Sequence, residues 1–186
     1  MAQARKLMVI RHAEKPPQPP DAPPPNGVDA DGNVDPESLT PQGWQRAGAL
    51  VRLFNPVHPP SDSAIAVPNV LIASSKNGRG SKRPFQTLTP LAQDLHLDIT
   101  TFGPNNFDDA VVAAKASDGV VLMCWQHEDI PEMGAAIAGD NVVPAQWPGA
   151  RFDIVWVFDR DPQSGTYSFT QVPQRLLAGD LTTIID

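Results

Sequence analysis

Short, unbroken apolar runs alternate along the chain with segments in which apolar residues recur every three or four positions. A run without polar alternation is typical of a strand buried on both faces, whereas the wider spacing indicates a helix with one buried face. The runs predict buried strands at residues 7–10, 70–73 and 119–125, and a further short strand is predicted at residues 98–102. The spaced segments predict helices at residues 41–54, 84–95, 106–115 and 130–138.

The last part of the chain has a different pattern. Apolar and polar residues alternate in residues 151–158 and 166–172, and the polar residues 161–165 between them are typical of a turn. These features predict an antiparallel pair at one edge of the sheet. Strands and helices otherwise alternate, which predicts a three-layer α/β/α sandwich with a mostly parallel central sheet and an antiparallel edge strand. The length of 186 residues fits a single domain over residues 1–186.

One segment interrupts the alternation of strands and helices. Residues 16–36 are rich in Pro, Asp, Gly and Asn, and they directly follow the first predicted strand. We interpret them as a long surface loop that forms a lid or a rim beside the end of that strand. After the loop, Thr40 and Pro41 predict a helix start, since threonine caps helices and proline fits their first turn.

Composition limits the classes of function. Hydrophobic residues make up 41% of the chain, and no apolar run reaches the length of about 20 residues that a membrane-spanning helix needs. The lack of a signal-peptide pattern predicts a cytoplasmic location with no membrane partner. The net charge of -7 argues against nucleic acid as a partner, although a local arginine cluster can still attract phosphate. Cys124 lies in an apolar run and is predicted to be a reduced core residue, with a catalytic cysteine as the weaker alternative.

Polar side chains suited to phosphate chemistry follow three of the predicted buried strands. Arg11 and His12 follow the first strand, Arg83 comes after the second, and His127 follows the fourth. Because parallel strands end at one edge of a sheet, where open α/β folds bind ligands, these side chains are expected to converge. Arginine matches phosphate oxygens with a planar fork, and a neutral histidine ring is nucleophilic near pH 7. The alternative is a set of surface ion pairs.

Four segments together resemble the histidine phosphatase superfamily, also called phosphoglycerate-mutase-like. Residues 11–14 match its Arg-His-Ala signature after the first strand, and residues 39–47 match its Leu-Thr-x-x-Gly-x-x-Arg-Ala helix start. Residues 83–87 are similar to its Arg-Ala-x-Gln-Thr element, and residues 124–127 stand where the family has a second histidine. The segments occur in the family's order and span roughly the first three quarters of the chain.

The resemblance implies a phosphohydrolase that acts on a phosphorylated small molecule or phosphoprotein. It implies that His12 is the nucleophile and forms a phosphohistidine, while Arg11, Arg83 and His127 hold the phosphoryl oxygens. Preorganised cations of this kind stabilise the charge that spreads over those oxygens in the transition state. Since arginine supplies the positive charge, the resemblance implies neither a metal nor another cofactor.

The chain departs from the family pattern at the general acid. Many members carry a glutamate in a Leu-x-Glu element after the second helix, whereas residues 95–98 contain none. Glu14, Glu128 and Asp129 are the candidates, and each has a solvated loop carboxylate as its alternative. For Asp129 we favour a helix N-cap. An acid-poor site suits a substrate with a good leaving group, such as phosphohistidine.

Further polar residues flank these segments. We predict substrate contacts from Lys15, Ser75, Lys82 and Gln126. Lys76 and Arg79 add positive charge to the same rim, where a second acidic group of the substrate would bind. A solvated cationic loop is the somewhat favoured alternative.

Two other functions compete with hydrolysis. The missing glutamate favours a non-catalytic protein of the same fold that binds a phosphorylated ligand. A phosphomutase would use the same nucleophile but needs a good acid, so it ranks lower. A panel of phosphatase substrates separates the first alternative from hydrolysis, and phosphoryl transfer to a second hydroxyl would indicate the mutase.

Overall fold

The structure, a computed structural model, describes residues 3–17, 25–58, 60–61, 63–76 and 81–186. Six strands form one sheet in these ranges: β1 (Ala4–Arg11), β2 (Val70–Ser74), β3 (Ile99–Phe102), β4 (Gly119–Trp125), β5 (Ile154–Arg160) and β6 (Tyr167–Pro173). Four helices accompany it: α1 (Pro41–Phe54), α2 (Arg83–Leu95), α3 (Phe107–Ala116) and α4 (Ile130–Ala138). The predicted elements are confirmed, with ends that differ by a few residues.

The strand order is β3-β2-β4-β1-β5-β6. Strands β3, β2, β4 and β1 pair in parallel, β5 pairs antiparallel with β1, and β6 pairs antiparallel with β5. This confirms a mostly parallel sheet with an antiparallel pair at one side; β6 is the edge, and the reversed strand β5 lies one position inside it. Strand β5 begins at Ile154, later than predicted, because a turn precedes it in which the amide of Arg151 donates to Pro148 O at 2.9 Å.

The core lies on both faces of the sheet. Leu7 and Val9 of β1 pack on the side of α3 and α4, whereas Met8 and Ile10 pack on the side of α1 and α2. All four side chains are fully buried, so the unbroken apolar run of β1 reflects helices on both sides. The three-layer sandwich is therefore confirmed.

Two details of the core bear on the predictions from the sequence. Cys124 is fully buried in β4, and burial raises the pKa of its thiol, so the core interpretation is confirmed. Phe85 has the same helical spacing as the buried residues Leu88 and Leu91, yet 44% of its surface is exposed. Pro84 and Thr87 occupy the inward face of that first turn of α2. No helix in the described part of the chain is long and apolar enough to span a bilayer.

The described part of the long loop packs against the start of α1. The amide of Val28 donates to Leu39 O at 2.8 Å, and Val28 also pairs with Val34 as an isolated bridge. The indole of Trp44 donates to Val28 O at 2.9 Å. Residues 25–36 therefore contribute to the rim above α1, while residues 18–24 lie outside the described residues.

The start of α1 is pressed against the chain that follows β1. Thr40 caps the helix as predicted, because its hydroxyl accepts from the Gly43 amide at 3.1 Å. The Thr40 amide donates to Glu14 O at 3.0 Å. A Cβ on Gly43 would lie 2.5 Å from Glu14 O and 3.1 Å from Glu14 N, so only glycine permits this approach.

This close approach gives a paired stability prediction. Gly43→Ala should lower the free energy of unfolding by about 1–3 kcal/mol, because backbone atoms of Glu14 must shift to accept the methyl group. Gly48→Ala is the matched control in the same helix, where nothing lies within 4 Å, and it should raise stability by up to about 1 kcal/mol. Urea denaturation measures both; effects of the same sign and size would show that the contact with Glu14 is unimportant.

Candidate active site

Three neighbouring parallel strands end at one edge of the sheet, and the predicted site residues follow them. Arg11, the last residue of β1, is in register with Trp125, the last residue of β4. The His12 amide donates to Trp125 O at 3.0 Å, so the parallel ladder continues through the residue predicted to be the nucleophile. Gln126 and His127 follow directly, and Ser74 ends the adjacent β2.

The His12 ring is buried and fixed in one tautomer. Only 3% of His12 is exposed, and its Nδ1 lies 2.7 Å from Ala13 O. Since a carbonyl only accepts, Nδ1 carries the proton and the Nε2 lone pair remains available. Burial lowers the pKa of His12 well below 6.5, and the positive charges of Arg11, Arg83 and Lys15 lower it further. The ring is therefore neutral at neutral pH, as a nucleophile must be.

Arg11 is buried as a cation with one edge of its guanidinium unpartnered. Its Nη1 donates to Gly149 O at 2.6 Å and to Arg151 O at 3.1 Å, and the ring centroid of Phe152 lies 3.8 Å from its Cζ. Within the described ranges, Nε and Nη2 have no hydrogen-bond partner although both are buried. Burial lowers the pKa of Arg11 to about 10, so it stays charged at neutral pH. The Nε–Nη2 edge matches two oxygens of a tetrahedral anion.

Arg83 is held by the rim instead of by another site residue. Its Nε donates to Ser38 O at 3.3 Å and its Nη2 donates to Pro36 O at 2.8 Å. Its charge nevertheless lowers the pKa of His12, so the guanidinium lies within electrostatic range of that ring. Thr87 connects the chain that follows β1 to the first turn of α2. Its hydroxyl accepts from the Ala13 amide at 2.9 Å and donates to Arg83 O at 2.8 Å.

His127 is half-buried beside Glu128. Its Nδ1 lies 2.8 Å from Oε2 of Glu128, whose side chain is 63% exposed. Burial and the charge of Arg11 lower the pKa of His127, while Glu128 opposes that shift. The negative charge of Glu128 also acts on Arg11 and Lys15, which places this carboxylate in the electrostatic field of the site.

The other two candidate acids have different surroundings. Glu14 accepts through Oε1 from Nε and Nη2 of Arg46, at 2.9 and 2.7 Å, and Arg46 also binds Asp180. Asp129 occupies the N-cap position of α4, as interpreted from the sequence, but its side chain makes no capping hydrogen bond and its backbone is already helical. Burial raises the pKa of Asp129.

Three of the predicted substrate contacts lie close to the end of the sheet, and the fourth, Lys82, lies in the rim. Lys15 is half-buried, and burial together with the charge of Arg11 lowers its pKa. Gln126 donates through Nε2 to Ser74 Oγ at 2.9 Å, and its Oε1 has no partner among the described residues. Ser75 follows β2 at the same edge, and its amide donates to Phe102 O at 2.7 Å. These three residues lie beside the site.

The outer cations are paired with acidic residues of the rim. Lys82 Nζ lies 2.6 Å from Oδ2 of Asp35, and Lys76 Nζ lies 3.7 Å from Oε2 of Glu37. Both pairs connect the segment before α2 to the loop before α1. Arg79 lies outside the described residues.

Phe152 and the turn that carries it were not predicted from the sequence. Residues 151–158 were predicted as one strand, which placed Phe152 within a ladder instead of against Arg11. The Trp147-Pro148-Gly149 segment is a turn signal, and it was the available indication that the strand begins later.

Comparison with known proteins identifies the fold. No protein-family model and no curated protein sequence matches the chain. Among solved structures, the protein histidine phosphatase SixA complexed with tungstate has a TM-score of 0.55 at 14% identity, over 91% of this chain and 97% of that one. A SixA protein of Agrobacterium tumefaciens has a TM-score of 0.51 at 14% identity, over 86% and 93%. The alpha-ribazole phosphatase of Shigella flexneri has a TM-score of 0.51 at 12% identity, over 95% and 100%.

The chain shares its fold with these solved phosphatases. This confirms, at the level of the fold, the resemblance that the four sequence segments indicated. In this fold the β1 and β4 ends lie side by side, which brings Arg11, His12 and His127 to one edge of the sheet.

The lowered pKa of His12 predicts a pH dependence of stability. The folded chain keeps His12 neutral, whereas the unfolded chain protonates it below its ordinary pKa of 6.5. The unfolded state therefore binds more protons, and the His12 contribution to the free energy of unfolding is lost as the pH falls below 6.5. Between pH 8 and pH 5 the wild type should lose more stability than His12→Gln, measured by urea denaturation.

The exposed His58 supplies the control, since His58→Gln should leave the pH dependence of the wild type unchanged. An NMR titration of the His12 ring gives an independent reading. Protonation of that ring at or above pH 6.5 would contradict its burial as a neutral group.

Proposed function

We propose that the chain is a phosphohydrolase that acts through a phosphohistidine on His12. The observation that carries this proposal is the pairing of two buried groups: a neutral imidazole with Nδ1 fixed and, next to it in the chain, the unpartnered Nε–Nη2 edge of Arg11. Phosphoryl transfer through a covalent intermediate requires a nucleophile that attacks phosphorus and a donor group that binds the phosphoryl oxygens. The solved relative that was complexed with tungstate, a tetrahedral oxyanion, supports the same interpretation.

The proposed reaction has two displacements at phosphorus. In the first, Nε2 of His12 attacks, the bond to the leaving group breaks, and that group departs with its electron pair. In the second, water attacks the phosphohistidine, releases inorganic phosphate and returns the electron pair to Nε2. Arg11 holds two equatorial oxygens, Arg83 adds positive charge, and His127 contacts another phosphoryl oxygen. Lys15, Ser75, Lys82 and Gln126 contact the rest of the substrate. Loss of one oxygen-binding cation should cost on the order of 10²–10³ in rate.

The nucleophile is tested by substitution and by trapping. His12→Ala should abolish hydrolysis of 4-nitrophenyl phosphate and of phosphohistidine, because no other group supplies the lone pair at that point. His58→Ala, which changes an exposed loop histidine, should leave kcat/KM unchanged. Rapid quenching of the wild type should yield an acid-labile, alkali-stable phosphoenzyme that is absent from His12→Ala. Full activity in His12→Ala would refute the proposal.

We propose Glu128 as the group that protonates an oxygen leaving group. Glu14 is already bound by Arg46, whereas Glu128 lies beside His127 and its charge acts on Arg11 and Lys15. An exposed carboxylate exchanges protons with water, which suits leaving groups that need little assistance. The nitrogen of a phosphohistidine is such a group, so phosphoramidates are the favoured substrate class and a phosphorylated small molecule with an alkoxide leaving group ranks below.

This role predicts a dependence on the leaving group. Glu128→Gln should lower kcat for an alkyl phosphate by about 10²-fold, and should change kcat for phosphohistidine or 4-nitrophenyl phosphate by less than about threefold. Glu14→Gln is the matched control, because it removes a carboxylate from the Arg46 ion pair and should lower stability without altering the leaving-group dependence. Equal effects of Glu128→Gln on both substrate types would exclude proton donation by Glu128.

A second candidate is a phospholigand-binding protein without turnover. The ion pair between Glu14 and Arg46 favours this second candidate. Glu14 is the carboxylate nearest to His12 in the sequence, and it is bound to Arg46 instead of being free to act as an acid. Binding of inorganic phosphate with no turnover of any substrate in a broad panel would select this candidate.

A phosphomutase ranks lowest. A cytoplasmic location and the absence of nucleic-acid and membrane partners stay predictions from composition.

A further inference from the structure

A short turn surrounds the Arg11 guanidinium on two sides. Residues 148–152, here called the 148–152 turn, supply both carbonyl acceptors of Nη1 through Gly149 and Arg151. The same turn places the Phe152 ring over the guanidinium, 3.8 Å from Cζ to the ring centroid. The ring also lies 6.2 Å from the His12 ring, centroid to centroid, at an interplanar angle of 52°. Phe152 therefore contacts the two groups on which the proposed reaction depends.

We propose that Phe152 is the positioning residue that holds the Arg11 guanidinium plane with its Nε–Nη2 edge toward the phosphoryl oxygens. This inference deepens the proposed function and rests on it for the identity of the anion. The two carbonyls fix only Nη1, and a guanidinium held at one nitrogen can still tilt. An aromatic face stacked on the plane removes that freedom, and it attracts the cation through its quadrupole.

The turn itself is anchored so that it can act in this way. Trp147 donates from its indole to Arg151 O at 2.8 Å, and the Arg151 amide closes the turn on Pro148 O at 2.9 Å. The Arg151 side chain donates to Asp153 at 2.7 Å and to Thr183 O at 2.7 Å. These contacts fix the backbone on both sides of Phe152, so its ring has a defined position over Arg11.

Few other contacts of the described residues hold the guanidinium. Arg11 is 1% exposed, so bulk solvent does little to orient its guanidinium. Among the described residues no carboxylate forms an ion pair with Arg11 that would fix it. The Phe152 ring and the two carbonyls are consequently the contacts that orient the cation before an anion binds.

Binding of inorganic phosphate to the full chain, measured by calorimetry, tests this inference without requiring turnover. Phe152→Leu keeps an apolar side chain but removes the aromatic face, and it should weaken phosphate binding by about tenfold. Phe152→Tyr should restore the wild-type affinity. The NMR signal of the Arg11 Nε–H should lose its ring-current shift in Phe152→Leu and regain it in Phe152→Tyr.

Two further variants separate positioning from stability. Phe169→Leu removes a half-buried aromatic side chain that packs 5.2 Å from Trp156, far from Arg11 in the fold, and should lower stability without weakening phosphate binding. Trifluorophenylalanine at position 152 keeps the shape of the ring and weakens its quadrupole, so it should reduce phosphate affinity. This variant keeps the inference testable if Phe152→Leu does not fold. Wild-type affinity in the fluorinated protein would overturn the inference.

The outcomes also distinguish this inference from the proposed function. Phosphate binding that depends on Phe152, in a chain that turns over no substrate, would support the positioning role and contradict hydrolysis. Turnover through His12 with no effect of any Phe152 variant would contradict the positioning role alone. A chain that binds no phosphate would contradict both.

Discussion

The parallel pairing of β1 with β4 is the constraint on which the site depends. It puts Arg11 level with Trp125 and extends one residue further, through the hydrogen bond from the His12 amide to Trp125 O. The proposed nucleophile, His12, is attached directly to this ladder and is held by the rigid sheet. His127, two residues after the end of β4, is brought to the same place from more than 100 residues away in the chain. A shift of the register by one residue would turn His12 to the other face.

Burial gives these groups their chemical character. The interior lowers the pKa of His12, which keeps its ring neutral, while Arg11 remains charged because its ordinary pKa is so high. A neutral imidazole beside a buried guanidinium cation is an arrangement that a solvated surface would not maintain. The neighbouring Glu14–Arg46–Asp180 cluster differs, because two carboxylates form ion pairs with its buried arginine and compensate the positive charge. Within the described ranges, Arg11 contacts two carbonyls and an aromatic ring but forms no ion pair, and so keeps its capacity to bind an anion.

Much of the fold could be predicted from the sequence because its signals are local. The apolar run of β4 is bounded by Gly119 and Gln126, and its ends were predicted correctly. The Thr40 cap could be read in the same way. Contacts between distant segments could not be predicted, because they depend on loop paths that no periodicity encodes. Examples are the ion pair of Glu14 with Arg46, the hydrogen bonds from Arg83 to Pro36 O and Ser38 O, and the stacking of Phe152 on Arg11.

A crystal structure with bound tungstate or phosphate would show whether Arg11 and His12 share one anion. We expect one tetrahedral anion with oxygens within hydrogen-bond distance, about 2.7–3.2 Å, of both Nε and Nη2 of Arg11. Nε2 of His12 should point at the central atom, and His127 should border the same anion. An anion bound elsewhere, or an Arg11 whose Nε–Nη2 edge faces away from His12, would contradict the account.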